Sequence, residues 1–193
     1  MVDVSIDALS TMLRRATEAG VRDRVTAVQA EAESMAEVLP PTGFDVVVAH
    51  GVLENASNPG LALQQISAVA RAAAVISILI ANPVAGVLAR ALAGDVAGAL
   101  AAFRRSSAEA YRLDSVLAHC AEAGLEVGLV EGVGVFTDLV PGVQLESSGS
   151  LAALSELEAA AAELPPYRDI ASRLHIVAHR GTANPELSRS AGT

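Results

Sequence analysis

The first residue of this chain with a clear chemical use is Asp3. Val2, Asp3, Val4 and Ser5 have the pattern of a buried strand that ends in polar residues and leads directly into a helix. In a parallel α/β sheet, a carboxylate at this end of a strand can accept hydrogen bonds from both hydroxyls of a ribose. We therefore predict a ribose-binding carboxylate at Asp3; the alternative is a solvated acid at a strand end.

The remaining reactive residue types are sparse. The single cysteine, Cys120, lies among apolar neighbours in a helical pattern, which predicts a buried structural thiol and excludes an intrachain disulfide. His119 and His179 have no partners nearby in sequence, and we interpret them as structural or surface residues. No spacing of His, Cys or Asp is typical of a metal site, so we predict that the protein binds no metal.

The elements that must position these residues alternate between strand and helix. Apolar periodicity predicts strands at 2–5, 25–30, 44–50 and 75–80, and helices at 6–19, 31–38, 60–71, 113–123 and one or two within 82–102. Towards the end, 125–130 and 133–136 are β-like, 151–164 is helical, and 174–179 alternates like an antiparallel strand. This order predicts an α/β fold, an incomplete Rossmann-like doubly wound sheet with a terminal antiparallel strand. We expect one domain over residues 1–180 and a flexible tail at 181–193.

The composition of the chain restricts the classes of partner that it can bind. The net charge of −9 disfavours general binding to nucleic acid, although a local arginine patch could still bind one RNA loop. The most apolar stretch, 72–81, is shorter than the about 20 residues that a membrane span needs. We see no secretory signal, and with one cysteine we expect a reducing, cytoplasmic compartment.

Several motifs resemble the class I S-adenosylmethionine-dependent methyltransferases. They are Val2-Asp3-Val4-Ser5 with Met12-Leu13, the run from Phe44-Asp45 to Gly51-Val52-Leu53-Glu54, and Asn58-Pro59 with Leu63. The second half, with Val133-Gly134-Val135-Phe136-Thr137-Asp138, Leu157-Glu158, Pro166-Tyr167 and Arg173, is similar to the bacterial tRNA 5-carboxymethoxyuridine methyltransferase group.

This resemblance implies a set of site residues. S-adenosylmethionine would be the cofactor, held at its ribose by Asp3, at its adenine by the region of Glu31, Ala32 and Glu33, and near its methionine part by His50. A second interpretation of His50 is purely structural. Glu54 could contact substrate, but capping of the next helix is our prediction for it.

Tyr167, Arg173 and His175 flank the last strand and are the predicted substrate-binding residues. If the acceptor is a carboxylate, Arg173 could hold its oxygens; the alternative is a surface ion pair with Glu163 or Asp169. A carboxylate acceptor is already ionised near neutral pH, so we predict no catalytic acid or base. The acceptor would be a carboxylate or another oxygen on tRNA or on a small molecule.

The sequence also departs from the family. The first strand and glycine-rich loop expected before Val2 do not occur, and Arg71-Ala72-Ala73-Ala74 replaces the usual Pro-Gly-Gly turn. We interpret this as a start assigned too far downstream and expect this form to be inactive or impaired. The alternatives are a non-catalytic binding or regulatory subunit, and a nicotinamide-dependent enzyme, whose ribose Asp3 would also suit.

Overall fold

The computed structural model describes residues 1–106, 112–140 and 148–181 of the 193. These residues form β1 (Val2–Asp3), α1 (Ile6–Glu18), β2 (Val28–Gln29), β3 (Phe44–His50), α2 (Pro59–Val69), β4 (Ala70–Ala81), α3 (Pro83–Leu92), α4 (Val96–Ser106), α5 (Leu113–Glu122), β5 (Leu125–Val133), α6 (Ser148–Ala161) and β6 (Arg173–Arg180). Short 3₁₀ helices cover Ala32–Glu37 and Arg168–Ile170, with a third at Arg22–Arg24. The tail predicted at 181–193 lies outside the described residues, apart from Gly181.

The strands form two separate sheets. β3, β4, β6 and β5 make a four-stranded sheet in that order, and β1 and β2 make a parallel two-stranded sheet. β3 and β4 are parallel, whereas β6 runs antiparallel to both of its neighbours. The prediction of an α/β fold with an antiparallel last strand is confirmed. Among the described residues no strand lies between β1 and β3, where we expected the sheet to be incomplete.

The first two helices begin where polar side chains cap them. Oγ of Ser5 accepts a hydrogen bond from the N–H of Ala8 at the start of α1, and Oδ1 of Asn58 accepts one from the N–H of Leu61 at the start of α2. Pro59 occupies the first turn of α2, where its missing N–H costs nothing. The prediction that Glu54 caps this helix is wrong, because Asn58 does so.

The main core lies on one face of the four-stranded sheet. Ile76, Ile78 and Ile80 alternate along β4 with no exposed surface, and they share one cluster with Ile66 of α2 and Val116 of α5. Each such side chain contributes about 1.5–3 kcal/mol by leaving water. The opposite face is less covered: Val46 and Val48 of β3 are 58% and 60% exposed.

The clearest differences from the sequence-based expectation are in two predicted strands. The strand predicted at 25–30 is only Val28–Gln29, because just two residues pair with the equally short β1. The β-like segment 133–136 leaves the sheet at Val133, and the carboxylate of Glu158 accepts hydrogen bonds from the N–H groups of Val135, Phe136 and Thr137. A side chain there satisfies backbone groups that a neighbouring strand would otherwise satisfy.

The segment 82–102 contains two helices, α3 and α4, as the apolar periodicity allowed. They pack against each other, but Leu92, Val96 and Phe103 remain 73%, 71% and 59% exposed. Across the described residues, no helix is both long and apolar enough to cross a membrane.

Candidate functional site

A cleft of about 820 Å³ separates the two sheets. Asp3, Glu31, Ala32 and Glu33 all line it, and the loop after β3 contributes Gly51 and neighbouring residues on the other side. Four of the five predicted cofactor-binding residues are thus in one place. The volume lies within the range of about 300–1,000 Å³ that is typical of small-molecule sites.

Parallel pairing brings these residues together. Asp3 lies opposite Gln29 in the register of β1 and β2, so the acidic segment that follows β2 emerges beside Asp3. Oδ1 of Asp3 accepts a hydrogen bond from the N–H of Ser5 at 2.8 Å, and Oδ2 has no partner among the described residues. Oε1 of Glu33 accepts a bond from the N–H of Asn58 at 3.1 Å, which links the loop after β3 to this side of the cleft.

The charge of the cleft favours a cationic ligand. Asp3, Glu31 and Glu33 line it, whereas no arginine of the described part of the chain does. Three carboxylates near one cavity create a negative potential that attracts cations and hydrogen-bond donors. S-adenosylmethionine carries a sulfonium, an ammonium group and two ribose hydroxyls, so the residues present fit that molecule.

The structure places His50 beside this cleft, but its side chain is not part of the cleft lining. Ala49 and Gly51 line the cleft, whereas His50 does not. Instead, Nε2 of His50 lies 2.8 Å from Oγ of Ser77 on the neighbouring strand β4. The residues on either side of His50 therefore lie at the cleft, where the resemblance implied a residue next to the cofactor. The side chain of His50 has a polar partner on the neighbouring strand.

Those partners form a continuous hydrogen-bonded chain. Oγ of Ser77 also lies 2.8 Å from Nε2 of His175, and Nδ1 of His175 lies 2.8 Å from Oε1 of Glu131. The rings of His50 and His175 meet edge to face, with centroids 5.9 Å apart. Four side chains, one from each strand of the larger sheet, are thus joined in the order Glu131, His175, Ser77 and His50; we call this group the polar chain.

The strand register explains the polar chain. His175 is paired with Glu131 on β5 and with Leu79 on β4, and Leu79 is paired with His50 on β3. Ser77 lies two positions before Leu79, so its side chain is on the same face. His50 ends β3 and His175 lies near the start of the antiparallel β6, which places the polar chain towards the carboxyl ends of the parallel strands. Open α/β sheets bind their ligands at this edge.

The other predicted substrate-binding residues lie around the start of β6. Arg173 is paired with Ala81 and is two positions before His175, so both side chains project from the same face. Among the described residues Arg173 forms no ion pair with Glu163 or Asp169, the alternative suggested for it, and Asp169 instead pairs with Arg168 at 2.8 Å. Tyr167 is 47% exposed, and its ring centroid lies 6.0 Å from that of Phe136.

Two residues of the polar chain were missed by sequence reasoning. Ser77 is the only hydroxyl residue in the apolar run of β4, and Glu131 is one of two acids in β5. A lone polar residue in a strand whose neighbours are buried is a usable signal, because a buried polar group needs a partner. The sequence does not show what that partner is.

Glu54 has a different role from the one predicted. Its Oε1 accepts a hydrogen bond from the N–H of Ala81 at the end of β4. Its Oε2 is buried and has no partner among the described residues. Asn82, the next residue, is buried and donates hydrogen bonds to the carbonyls of Asp169 and Ala171. These contacts hold the end of β4 against the segment that leads into β6.

Comparison with known proteins agrees with this architecture. The cyclase SpnF superposes with a TM-score of 0.58 at 15% identity, over 94% of this chain and 66% of that one. A putative sarcosine dimethylglycine methyltransferase from Galdieria sulphuraria superposes with a TM-score of 0.57 at 10% identity, over 93% of this chain and 68% of that one. Geranyl diphosphate methyltransferase in complex with SAM superposes with a TM-score of 0.55 at 17% identity, over 93% of this chain and 67% of that one. The chain therefore spans about two thirds of the length of these structures.

Sequence comparison identifies the family. No curated protein sequence matches the chain. A family model described as a methyltransferase domain matches residues 1–122, which is more than half of the chain and includes the cleft. The chain belongs to the methyltransferase domain family, and its fold is that of the S-adenosylmethionine-dependent methyltransferases.

Proposed function

We propose that this protein binds S-adenosylmethionine in the cleft between β1 and β3 and transfers its methyl group to an oxygen of a small molecule or of tRNA. The observation that carries the proposal is the grouping of Asp3, Glu31, Ala32 and Glu33 around one acidic cleft. Asp3 would hold the ribose hydroxyls, and the segment from Glu31 to Glu33 would contact the adenine.

A small acceptor is favoured over a nucleic acid. The net charge of −9 repels polyphosphate from most of the surface, and tRNA would have to be bound by a local group of arginines. The resemblance to the tRNA 5-carboxymethoxyuridine methyltransferases keeps tRNA as the alternative acceptor. Fold similarity does not decide this, since the same fold occurs in a protein described as a cyclase.

Calorimetric titration of the full chain with S-adenosylmethionine tests the proposal. Asp3→Asn keeps one acceptor oxygen and loses the charge, so the dissociation constant is expected to rise by about 10-fold or more. Asp7→Asn is the matched control, because Asp7 is an exposed acid in the first turn of α1 and does not line the cleft. Because we expect this form to be inactive or impaired, the titration is made with and without an added N-terminal strand and glycine-rich loop. No binding by either form, or equal effects of both substitutions, would contradict the proposed site.

A binding or regulatory subunit is the second candidate function. The observation that favours it is the pair of strands facing the cleft: among the described residues, β1 pairs only with β2, and β3 pairs only with β4. Unpaired strand edges are templates for another chain. Light scattering coupled to size-exclusion chromatography tests it, since a solitary monomer at all concentrations argues against a partner at these edges.

A further inference from the structure

We propose that the polar chain is a proton relay whose outer end, Nδ1 of His50, accepts the proton of the methyl acceptor. This inference rests on the proposed methyl transfer and narrows its substrate to an oxygen that carries a proton near neutral pH, such as a hydroxyl. It differs from the expectation made from sequence, which was a carboxylate acceptor and no catalytic base.

Counting donors and acceptors gives the polar chain a direction. An ionised Glu131 only accepts hydrogen bonds, so Nδ1 of His175 must carry the proton in the 2.8 Å contact between them. In neutral His175, Nε2 is then an acceptor, and the hydroxyl of Ser77 must donate to it. The oxygen of Ser77 is left to accept from Nε2–H of His50. This leaves Nδ1 of His50 without its proton and with no partner among the described residues.

The free nitrogen lies where a substrate can reach it. His50 is exposed, ends β3, and is flanked by Ala49 and Gly51, which line the cleft. The polar chain leads from this position into the sheet, where the side chains of His175 and Glu131 are only 22% and 31% exposed. The accessible end of the polar chain is therefore beside the cleft, and the charged end lies away from it.

The proposed methyl transfer and the proton transfers that accompany it conserve atoms and charge. S-adenosylmethionine supplies a sulfonium methyl group, whose carbon–sulfur bond breaks with its electron pair left on sulfur as the acceptor oxygen bonds to the methyl carbon. The proton of that oxygen passes to Nδ1 of His50. The Nε2 proton of His50 then passes to Ser77, and the hydroxyl proton of Ser77 passes to Nε2 of His175. The positive charge finally rests on His175, beside the Glu131 carboxylate.

Moving the positive charge from His50 to His175 has a physical advantage. A proton kept on His50 would place a cation beside a cleft that is proposed to hold a sulfonium, and like charges repel. On His175 the same charge is paired with Glu131. Other ionisable side chains lie, by register, on the face of the sheet that carries the polar chain. They are Arg173 and His179 of β6 and Glu126 of β5.

Acyl transfer is a different use of a serine, a histidine and a carboxylate, and the geometry disfavours it. Ser77 is paired with Val48 on one side and with Val177 on the other, within a strand that has neighbours on both sides. Stabilising an oxyanion requires backbone N–H groups that are free to donate, and those near Ser77 belong to the sheet. Ser77 therefore conducts a proton in this arrangement and does not act as a nucleophile.

Nitrogen NMR of the ¹⁵N-histidine-labelled full chain tests the relay without any substrate. The expected result is an Nε2–H tautomer for His50 and an Nδ1–H tautomer for His175. Ser77→Ala removes the partner of both Nε2 atoms, so it should mix the tautomers of His50 and shift the Nε2 signal of His175. Ser67→Ala, at a buried serine of α2, is the matched control and should change neither.

Two NMR results would contradict the proton relay. An Nδ1–H tautomer for His50 would overturn the relay, and so would a Ser77→Ala variant in which the His50 tautomer and the Nε2 signal of His175 stay unchanged. Because this measurement needs no cofactor, it stands even where the proposed methyl transfer fails, and absence of S-adenosylmethionine binding counts against the proposed function alone.

A second measurement tests the acceptor class. The probe is 4-hydroxybenzoate, which offers a carboxylate and a hydroxyl in one molecule, with S-adenosylmethionine as methyl donor. The expected product is the methyl ether, formed about 100-fold more slowly by His50→Gln because general-base assistance is lost, and at an unchanged rate by the control His179→Gln. Formation of the methyl ester instead would overturn the assignment of a hydroxyl acceptor.

Discussion

Oε1 of Glu54 accepts a hydrogen bond from the backbone N–H of Ala81 at 2.5 Å. Glu54 belongs to the loop after β3, and Ala81 is the last residue of β4, so one carboxylate joins the carboxyl ends of two parallel strands. His50 lies at the same edge of the sheet, and the loop that contains Glu54 also lines the cleft. The position of the proposed base therefore depends in part on the contact between Glu54 and Ala81.

Replacing Glu54 with alanine should lower the free energy of unfolding by about 1–3 kcal/mol, because the N–H of Ala81 loses its acceptor. Urea denaturation followed by circular dichroism measures it. Glu37→Ala is the control: Glu37 is exposed, and a surface substitution of this kind changes stability by about 0.5 kcal/mol or less. Equal stability of the two variants would show that the contact contributes nothing.

The turn after His50 depends on a glycine. Gly51 has a φ of +68°, and a Cβ built there meets no atom within 4 Å, so the cost of alanine is that of the backbone alone. We expect Gly51→Ala to destabilise the protein by about 1–2 kcal/mol. Gly86→Ala, in α3 and equally free of clashes, should instead stabilise it by about 0.5–1 kcal/mol. Thermal melts that shift in the same direction for both variants would contradict this explanation.

Glu158 should make the stability depend on pH in the acid range. Burial raises the pKa of its carboxyl group, but hydrogen bonds from the hydroxyl of Thr137 and from the N–H groups of Phe136, Val135 and Thr137 outweigh burial and hold the pKa below its ordinary 4.5. A pKa lowered on folding means that the carboxylate stabilises the fold fully above the pKa of the unfolded chain. That contribution is lost as the pH falls through the lower folded-state pKa.

The matching variant is Glu158→Gln, which cannot offer a charged acceptor. At pH 7 it should be less stable by about 1.5–3 kcal/mol, and the difference should shrink once the pH falls below 4.5. Denaturant titrations between pH 3 and pH 7 measure it. Glu156→Gln, at an exposed position of the same helix, should show no such trend. A difference that stays constant with pH would refute the role of the charge.

Cys120 should be unreactive in the folded protein. It has no exposed surface, and burial raises the pKa of its thiol to about 11. Because the thiolate is the reactive form, a disulfide reagent at pH 8 should label the chain only after unfolding in guanidinium. A Ser10→Cys variant, with a thiol at an exposed position of α1, should be labelled at once. Rapid labelling of Cys120 in the native chain would mean that α5 opens readily.

The elements with strong apolar periodicity were predicted from the sequence, because burial of one face imposes a period. β3, α2, β4 and α5 occur within a few residues of the predicted bounds. The weakest predictions were the strands at 25–30 and 133–136. The first depends on a short partner strand, and the second on the carboxylate of Glu158, which lies 22 positions from Phe136. Local sequence contains neither contact.

The sequence by itself determined the order and type of the main elements, because these depend on neighbours along the chain. With them it determined the acidic residues at the end of β1 and after β2. The tertiary structure alone decided that the ring of His50 meets the hydroxyl of Ser77. The contacts of the polar chain join residues 27, 98 and 44 positions apart. Only strand order and register bring such residues to one face, since each side chain can meet only the neighbours that the sheet places beside it.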